Sequence, residues 1–189
     1  IAAKLDGTSK YIFFPYFPSK VLVEIPKTRT TLAVLKSLIE YVEEYDVKRF
    51  LVILDREHFT KEIREDIEEK LESLGVTIAK TEALNPPYDN ALRVEGRSRG
   101  GRDFVVVITV MGDEICPKIE CHIAHLVKEK YSVWIDPNQN KEDFLKTVRR
   151  TTGARSYGKL TIDLTEEELL KFFPQLLHAF KAIERLIEP

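Results

Sequence analysis

The sequence predicts a single α/β domain: a mainly parallel, Rossmann-like sheet flanked by helices, with an inserted β-hairpin and a C-terminal helix. Three observations carry this. Residues 104–110, Phe-Val-Val-Val-Ile-Thr-Val, form an apolar, β-branched run without polar alternation, which suits a strand buried on both faces in the middle of an α/β sheet. Strand-like and helix-like stretches alternate from residue 21 to residue 79, as in the units that build parallel sheets. The central run ends in Met111-Gly112-Asp113-Glu114 ahead of a helical stretch, and open α/β sheets bind ligands at such turns, at the carboxyl ends of their strands.

Taken in order, residues 11–17 and 21–25 read as short strands of an N-terminal β-hairpin at 10–26, with Pro15 holding the first to an edge. Thr30 or Thr31 caps a helix whose apolar face is Leu32, Leu35, Leu38, Ile39, Val42 and Tyr45. Residues 49–54 form the next strand, ending in Asp55-Arg56-Glu57. Thr60 opens a charged helix with Ile63, Ile67, Leu71 and Leu74 as its buried stripe, closed by Gly75 in the left-handed region. Residues 76–79 follow as a strand and 85–90 as a loop.

Residues 91–95 and 103–110 are then the arms of a hairpin turning at Gly100-Gly101, inserted at about 91–110. A helix is expected over 117–130, because Pro117 is tolerated at a first helical position. A strand over 132–136, a helix over 141–151 capped by Asn140 and ended by Gly153, and a strand over 159–164 complete the pattern. Thr165 with Glu168 forms a capping box for the C-terminal helix at 165–188, which Pro174 should kink or split.

At 189 residues the chain suits one domain, 1–189. A hydrophobic content of 43% and a charged content of 32% describe a soluble globular chain rather than a disordered or fibrous one. The net charge of −2 leaves any attraction to nucleic acid to local patches. No apolar run approaches a membrane span, and the start lacks the basic-then-apolar form of a signal peptide, so a cytoplasmic protein is expected. The chain begins at Ile1 and its only Met is Met111, so residues upstream of Ile1 are expected in the natural protein. Cys116 and Cys121 fall on one expected helix, a poor disulfide geometry, and read as reduced thiols. Glutamine is confined to Gln139 and Gln175 beside abundant Lys and Glu, which leans towards a thermophilic source.

Carboxylates gather where strands end: Asp55 and Glu57, Asp113 and Glu114, and Asp136. On neighbouring parallel strands Asp55, Asp113 and Asp136 would converge and could hold Mg²⁺, which takes a few carboxylates plus water and phosphate. A hydrolase reading makes Asp55, Asp113 and Glu114 catalytic, with Glu114 activating water. The competing reading is that these acids cap helices and solvate loops. Two basic clusters suit phosphate capture: Arg97, Arg99 and Arg102 with Arg93 at the hairpin tip, and Arg149, Arg150 and Arg155 with Lys146 and Lys159 further on. Against this, Arg149 and Arg150 also complement a helix dipole. Cys116, Cys121, His122 and His125 lack a second Cys/His pair at zinc-finger spacing, and core packing is the expected role. No Walker or dinucleotide glycine motif is present.

The run 47–82, a strand ending Leu54-Asp55-Arg56-Glu57, a long charged helix and a strand after Gly75-Val76, is similar to CRISPR-associated Rossmann-like sensor domains. Residues 105–136 resemble their strand–turn–helix–strand half. The resemblance implies a nucleotide-binding sheet edge with Ser/Thr/Gly-rich turns after the first and fourth strands. Here those turns are Pro26-Lys27-Thr28-Arg29 and Met111-Gly112-Asp113-Glu114, which depart from that pattern.

The expected function is therefore non-enzymatic binding of a phosphate-bearing ligand, RNA, DNA or a nucleotide. The alternatives are a Mg²⁺-dependent phosphodiesterase or nuclease, and a scaffold or assembly subunit. The broad apolar stripe Leu169, Phe172, Phe173, Leu176, Leu177, Phe180, Ile183, Leu186 and Ile187 suggests a homodimer through the C-terminal helix.

Overall fold

The computed structural model describes residues 32–113 and 115–187; the expected N-terminal hairpin at 10–26, the caps Thr30 and Thr31, and Glu114 lie outside them. The described chain runs α1 (Val34–Tyr45), β1 (Arg49–Asp55), a 3₁₀ turn (Arg56–His58), α2 (Ile63–Ser73), β2 (Thr77–Asn85), β3 (Tyr88–Arg97) and β4 (Asp103–Met111). It continues with α3 (Ile119–Tyr131), α4 (Lys141–Thr152), α5 (Tyr157–Thr161), α6 (Glu166–Phe172) and α7 (Pro174–Ile187). No described helix is long and apolar enough to cross a membrane.

The four strands form one sheet in the order β1-β4-β3-β2. β4 is central, as its unbroken apolar run required: β1 flanks it in parallel and β3 in antiparallel fashion. The sheet as a whole corrects the mainly parallel expectation. Only β1–β4 is parallel, while β2–β3 and β3–β4 are antiparallel. Chain length between strands explains the difference. A parallel neighbour needs a crossover of about a dozen residues or more, and β2 and β3 are separated only by a turn at Pro86-Pro87, whose peptide is cis. Of the stretch 85–90, expected as a loop, only Pro86 and Pro87 form the bend; Asn85 ends β2 and 88–90 open β3. The β3–β4 hairpin is likewise no peripheral insertion, because one of its arms is the central strand.

Helices cover both faces. On one, α1 places Leu35, Leu38 and Val42, and α2 places Ile67 and Leu71, against Val52, Leu54, Leu92, Val94, Val106, Ile108 and Val110. On the other, α7 lays Ala179 and Ile183 on Val107. A largely helical core of α3 to α7 gathers Ile123, Leu126, Phe144, Val148, Leu169, Phe173, Leu176 and Phe180 around Met111. The C-terminal apolar stripe is broad because α7 touches both the sheet and this helical layer. Pro174 splits the single expected helix into α6 and α7.

Two expected strands are absent. Residues 132–136 pair with no described strand and send only Ile135 into the core. Residues 159–164 hold instead the short helix α5 and its exit. Strand alternation there would align Leu160, Ile162 and Leu164, whereas a helical step aligns Leu160 with Leu164 alone. Leu160 and Leu164 are buried and Ile162 is exposed, and Ser156 caps the helix by accepting from the Lys159 N–H.

Candidate functional site at the carboxyl ends of the parallel pair

The only parallel register among the described strands sets Asp55, the last residue of β1, beside Met111, the last of β4. The chain leaves each strand through a built turn. After β1 the 3₁₀ turn holds Glu57, whose N–H donates to the Pro117 carbonyl at 3.1 Å. After β4, Gly112 takes φ +89°, a conformation that disfavours side chains. Asp113 then folds the loop on itself: its Oδ1 accepts from the N–H groups of Ile115 at 2.8 Å and Cys116 at 2.7 Å. The two loops meet where Glu57 reaches Pro117.

Cys116 and Cys121 are joined in a disulfide, with Cα atoms 5.9 Å apart. This corrects the expectation of reduced thiols and removes the thiol-based ground for an intracellular location. The helical spacing assumed for the pair does not apply, because α3 starts at Ile119 and Cys116 lies in the turn before it. That turn folds back far enough for a normal Cα separation. The bond ties the loop to the first turn of α3.

Behind the loop, His122 of α3 is largely buried. Its Nε2 accepts from the Gly112 N–H at 3.1 Å and lies 3.0 Å from Nε2 of the buried Gln175. Since Nε2 accepts, the neutral ring carries its proton on Nδ1. Burial is the main cause that holds the His122 pKa below the ordinary imidazole value, with a backbone hydrogen bond at Phe172 opposing it. The folded state therefore binds fewer protons at this site than the unfolded chain. Stability is full above the unfolded pKa of about 6.5 and falls as the pH drops towards the folded value, by at most about 1.4 kcal/mol per pH unit. Urea midpoints should thus fall between about pH 7 and pH 5.5, and His122→Gln should flatten that decline. An equally steep decline in the variant would rule out His122 as its source.

The structure does not gather all the expected acids. Among the described residues, the group whose ligand atoms lie within 4.8 Å of one another is Asp55, Glu57 and His58. Asp113 and Asp136 are not in it, and each caps its own turn, Asp136 Oδ1 accepting from the Asn138 N–H at 2.9 Å. His58 was not singled out by sequence, although it sits three residues past Asp55. Two carboxylates and an imidazole form a donor set suited to Mn²⁺ or Zn²⁺ more than to Mg²⁺, which takes oxygen almost exclusively.

The two basic clusters fare differently. At the hairpin, Arg97 forks onto Asp103, with Nε 2.7 Å and a terminal nitrogen 3.1 Å from its two oxygens. This lowers the Asp103 carboxyl pKa. Arg102 donates to the Val42 carbonyl in the last turn of α1 at 3.1 Å, and Arg93 pairs with Glu95 at 2.7 Å. Arg99 is exposed and runs past Gly75. Asp103 opens β4, paired with Arg97 at the end of β3, about 26 Å along the strand from Met111 at a rise of about 3.3 Å per residue, so this cluster does not face the acidic edge.

Arg149 and Arg150 end α4, and Arg155 and Lys159 follow the Gly153 turn; all four are exposed. From residue 144 to residue 162 the sequence contains no Asp or Glu. Among the described residues none of the four has a salt bridge, whereas Lys146, one turn earlier, is held by Asp143 at 3.3 Å.

No protein-family model, curated protein or solved structure matches this chain.

Proposed function

We propose that this domain binds a phosphate-bearing ligand, a nucleic acid or a nucleotide, through Arg149, Arg150, Arg155 and Lys159, as a non-enzymatic binding or regulatory module. The observation that carries the reading is the segregation of charge. In a chain with a net charge of −2, the carboxylate-free stretch 144–162 holds exposed cations that, among the described residues, make no salt bridge. Guanidinium groups in that state are available to phosphate oxygens at no cost of breaking an existing pair. The hairpin arginines contribute less, since Arg97 and Arg102 are already engaged within the chain.

Labelled oligonucleotides and nucleotides titrated across a salt series provide the test. Affinity should fall steeply with salt, and the combined change Arg149→Glu, Arg150→Glu and Arg155→Glu should flatten the log–log slope by about 2, at roughly 0.7 per phosphate contact on a single strand. Arg97→Glu should change it little. Binding that ignores both salt and the triple change would end this reading.

The Asp55, Glu57 and His58 group supports a second reading, a metal-dependent phosphodiesterase. Calorimetry should then show Mn²⁺ or Zn²⁺ binding that His58→Ala weakens at least tenfold, with hydrolysis of an activated phosphodiester only when the metal is present. Heat from neither ion would leave the acids as surface groups. A scaffold role through a C-terminal-helix homodimer draws less support, because Leu169, Phe172, Phe173, Leu176, Leu177, Phe180 and Ile183 are buried within one chain.

A further inference from the structure

After α3 the chain turns out through Ser132, at φ 56°, into an irregular stretch. Its Ile135 is buried in the helical core that also holds Phe144 and Val148 of α4. The preceding apolar side chains face water: Tyr131 is 41% exposed, Val133 40% and Trp134 52%. Burying an aromatic of that size is among the largest gains available to a fold, so two such rings and a valine left out within four residues mark a surface with a use. The indole is also held in place. The His125 ring meets it edge-on with centroids 5.6 Å apart, and the Lys128 ammonium lies 5.6 Å from the ring centroid. A half-exposed ring with a cation over it has parts of a base-stacking platform. Arg149 and Arg150 lie on α4, whose buried Phe144 and Val148 belong to the same helical core as Ile135.

We propose that Trp134 stacks an unpaired nucleobase, and that the ligand is therefore single-stranded nucleic acid. This rests on the phosphate-binding reading and narrows it. A base in a duplex has both faces covered by its neighbours and cannot use the platform, whereas every unpaired base presents a π-face to it. Lys128 and the arginines of α4 would take the flanking phosphates.

Trp134 is the only tryptophan in the chain, so its fluorescence reports on the site directly. Titration with oligo(dT) and with oligo(U) should quench it, and the stronger quench tells DNA from RNA. A duplex of equal length should not. Trp134→Ala should weaken single-strand binding about tenfold, as expected for losing one stacked base, and Trp134→Phe should retain most of it. Thermal unfolding of both variants checks that the fold is kept. Salt-sensitive binding seen by anisotropy, with unchanged Trp134 emission and unchanged affinity in Trp134→Ala, overturns the stacking inference and leaves the basic stretch standing. Equal quenching by duplex overturns it too. Failure of every oligonucleotide to bind removes the phosphate reading, and this inference with it.

Discussion

Phe180→Glu combined with Ile183→Glu is expected to leave the chain unfolded at room temperature, rather than to release a folded monomer from a dimer. Both side chains are 4% exposed, one turn apart on α7. Ile183 packs against Val107 of the central strand, and Phe180 lies in the helical core beside α3 and α6. Each change forfeits the burial of a large apolar side chain, about 1.5–3 kcal/mol. Each also sets a carboxylate among hydrocarbon with no partner, which costs several kcal/mol more whether the group stays charged or takes up a proton. The total rivals or exceeds the roughly 5–15 kcal/mol that holds a domain of this kind together. Far-UV circular dichroism would show the loss. Leu170→Glu is the control: Leu170 is 46% exposed, and such a change stays within about 0.5 kcal/mol. A double variant that keeps the native melting curve but halves in mass would reassign the stripe to an intermolecular contact.

What could be read in the sequence divides along physical lines. Local capping chemistry was legible because it lies within a few residues: Asn140 accepts from the Asp143 N–H, Thr165 and Glu168 form the reciprocal box, and Gly75 takes φ 81°. The burial of β4 on both faces was legible from its unbroken apolar run. Strand direction was not, since a strand covered on both faces has the same composition whichever way its neighbours run. The short Pro86-Pro87 link was the available sign that β2 and β3 must be antiparallel. Thr60 shows a different error. It does precede α2, but the helix start is secured by Asp66 from within the helix, whose Oδ2 accepts from the backbone N–H groups of Thr60 at 2.7 Å and Lys61 at 3.0 Å. At the site, Asp55 and Glu57 were visible as acids ending a strand. The engagement of Arg102 by Val42, or of His122 by Gln175, was not, because each joins residues more than fifty positions apart that only the folded chain brings together.

Gly112→Ala should be the most damaging conservative change near the site. A Cβ on Gly112 would stand 2.3 Å from the Lys118 nitrogen, 2.3 Å from the Pro117 carbonyl carbon and 2.6 Å from the Cys116 oxygen. All three are backbone atoms, so no side-chain rotation relieves the contact. The strand end cannot yield without disturbing the β1–β4 ladder. The opposing segment is pinned on three sides, by the disulfide to Cys121, by the Asp113 hydrogen bonds, and by the Glu57 N–H on Pro117. Giving way would also stretch the bond from the Gly112 N–H to His122, leaving a buried backbone N–H short of its acceptor. To this is added the cost of a positive φ for alanine, about 1–2 kcal/mol. The expected loss is about 4 kcal/mol or more, summed from strain, overpacking and the weakened hydrogen bond. Gly101→Ala isolates the dihedral cost, because Gly101 has φ 81° but nothing within 4 Å of its Cβ position; it should lose only about 1–2 kcal/mol. Urea unfolding of the two variants side by side decides the matter. If Gly112→Ala loses no more than Gly101→Ala, the 112–118 loop is free to move and does not brace the carboxyl ends of β1 and β4.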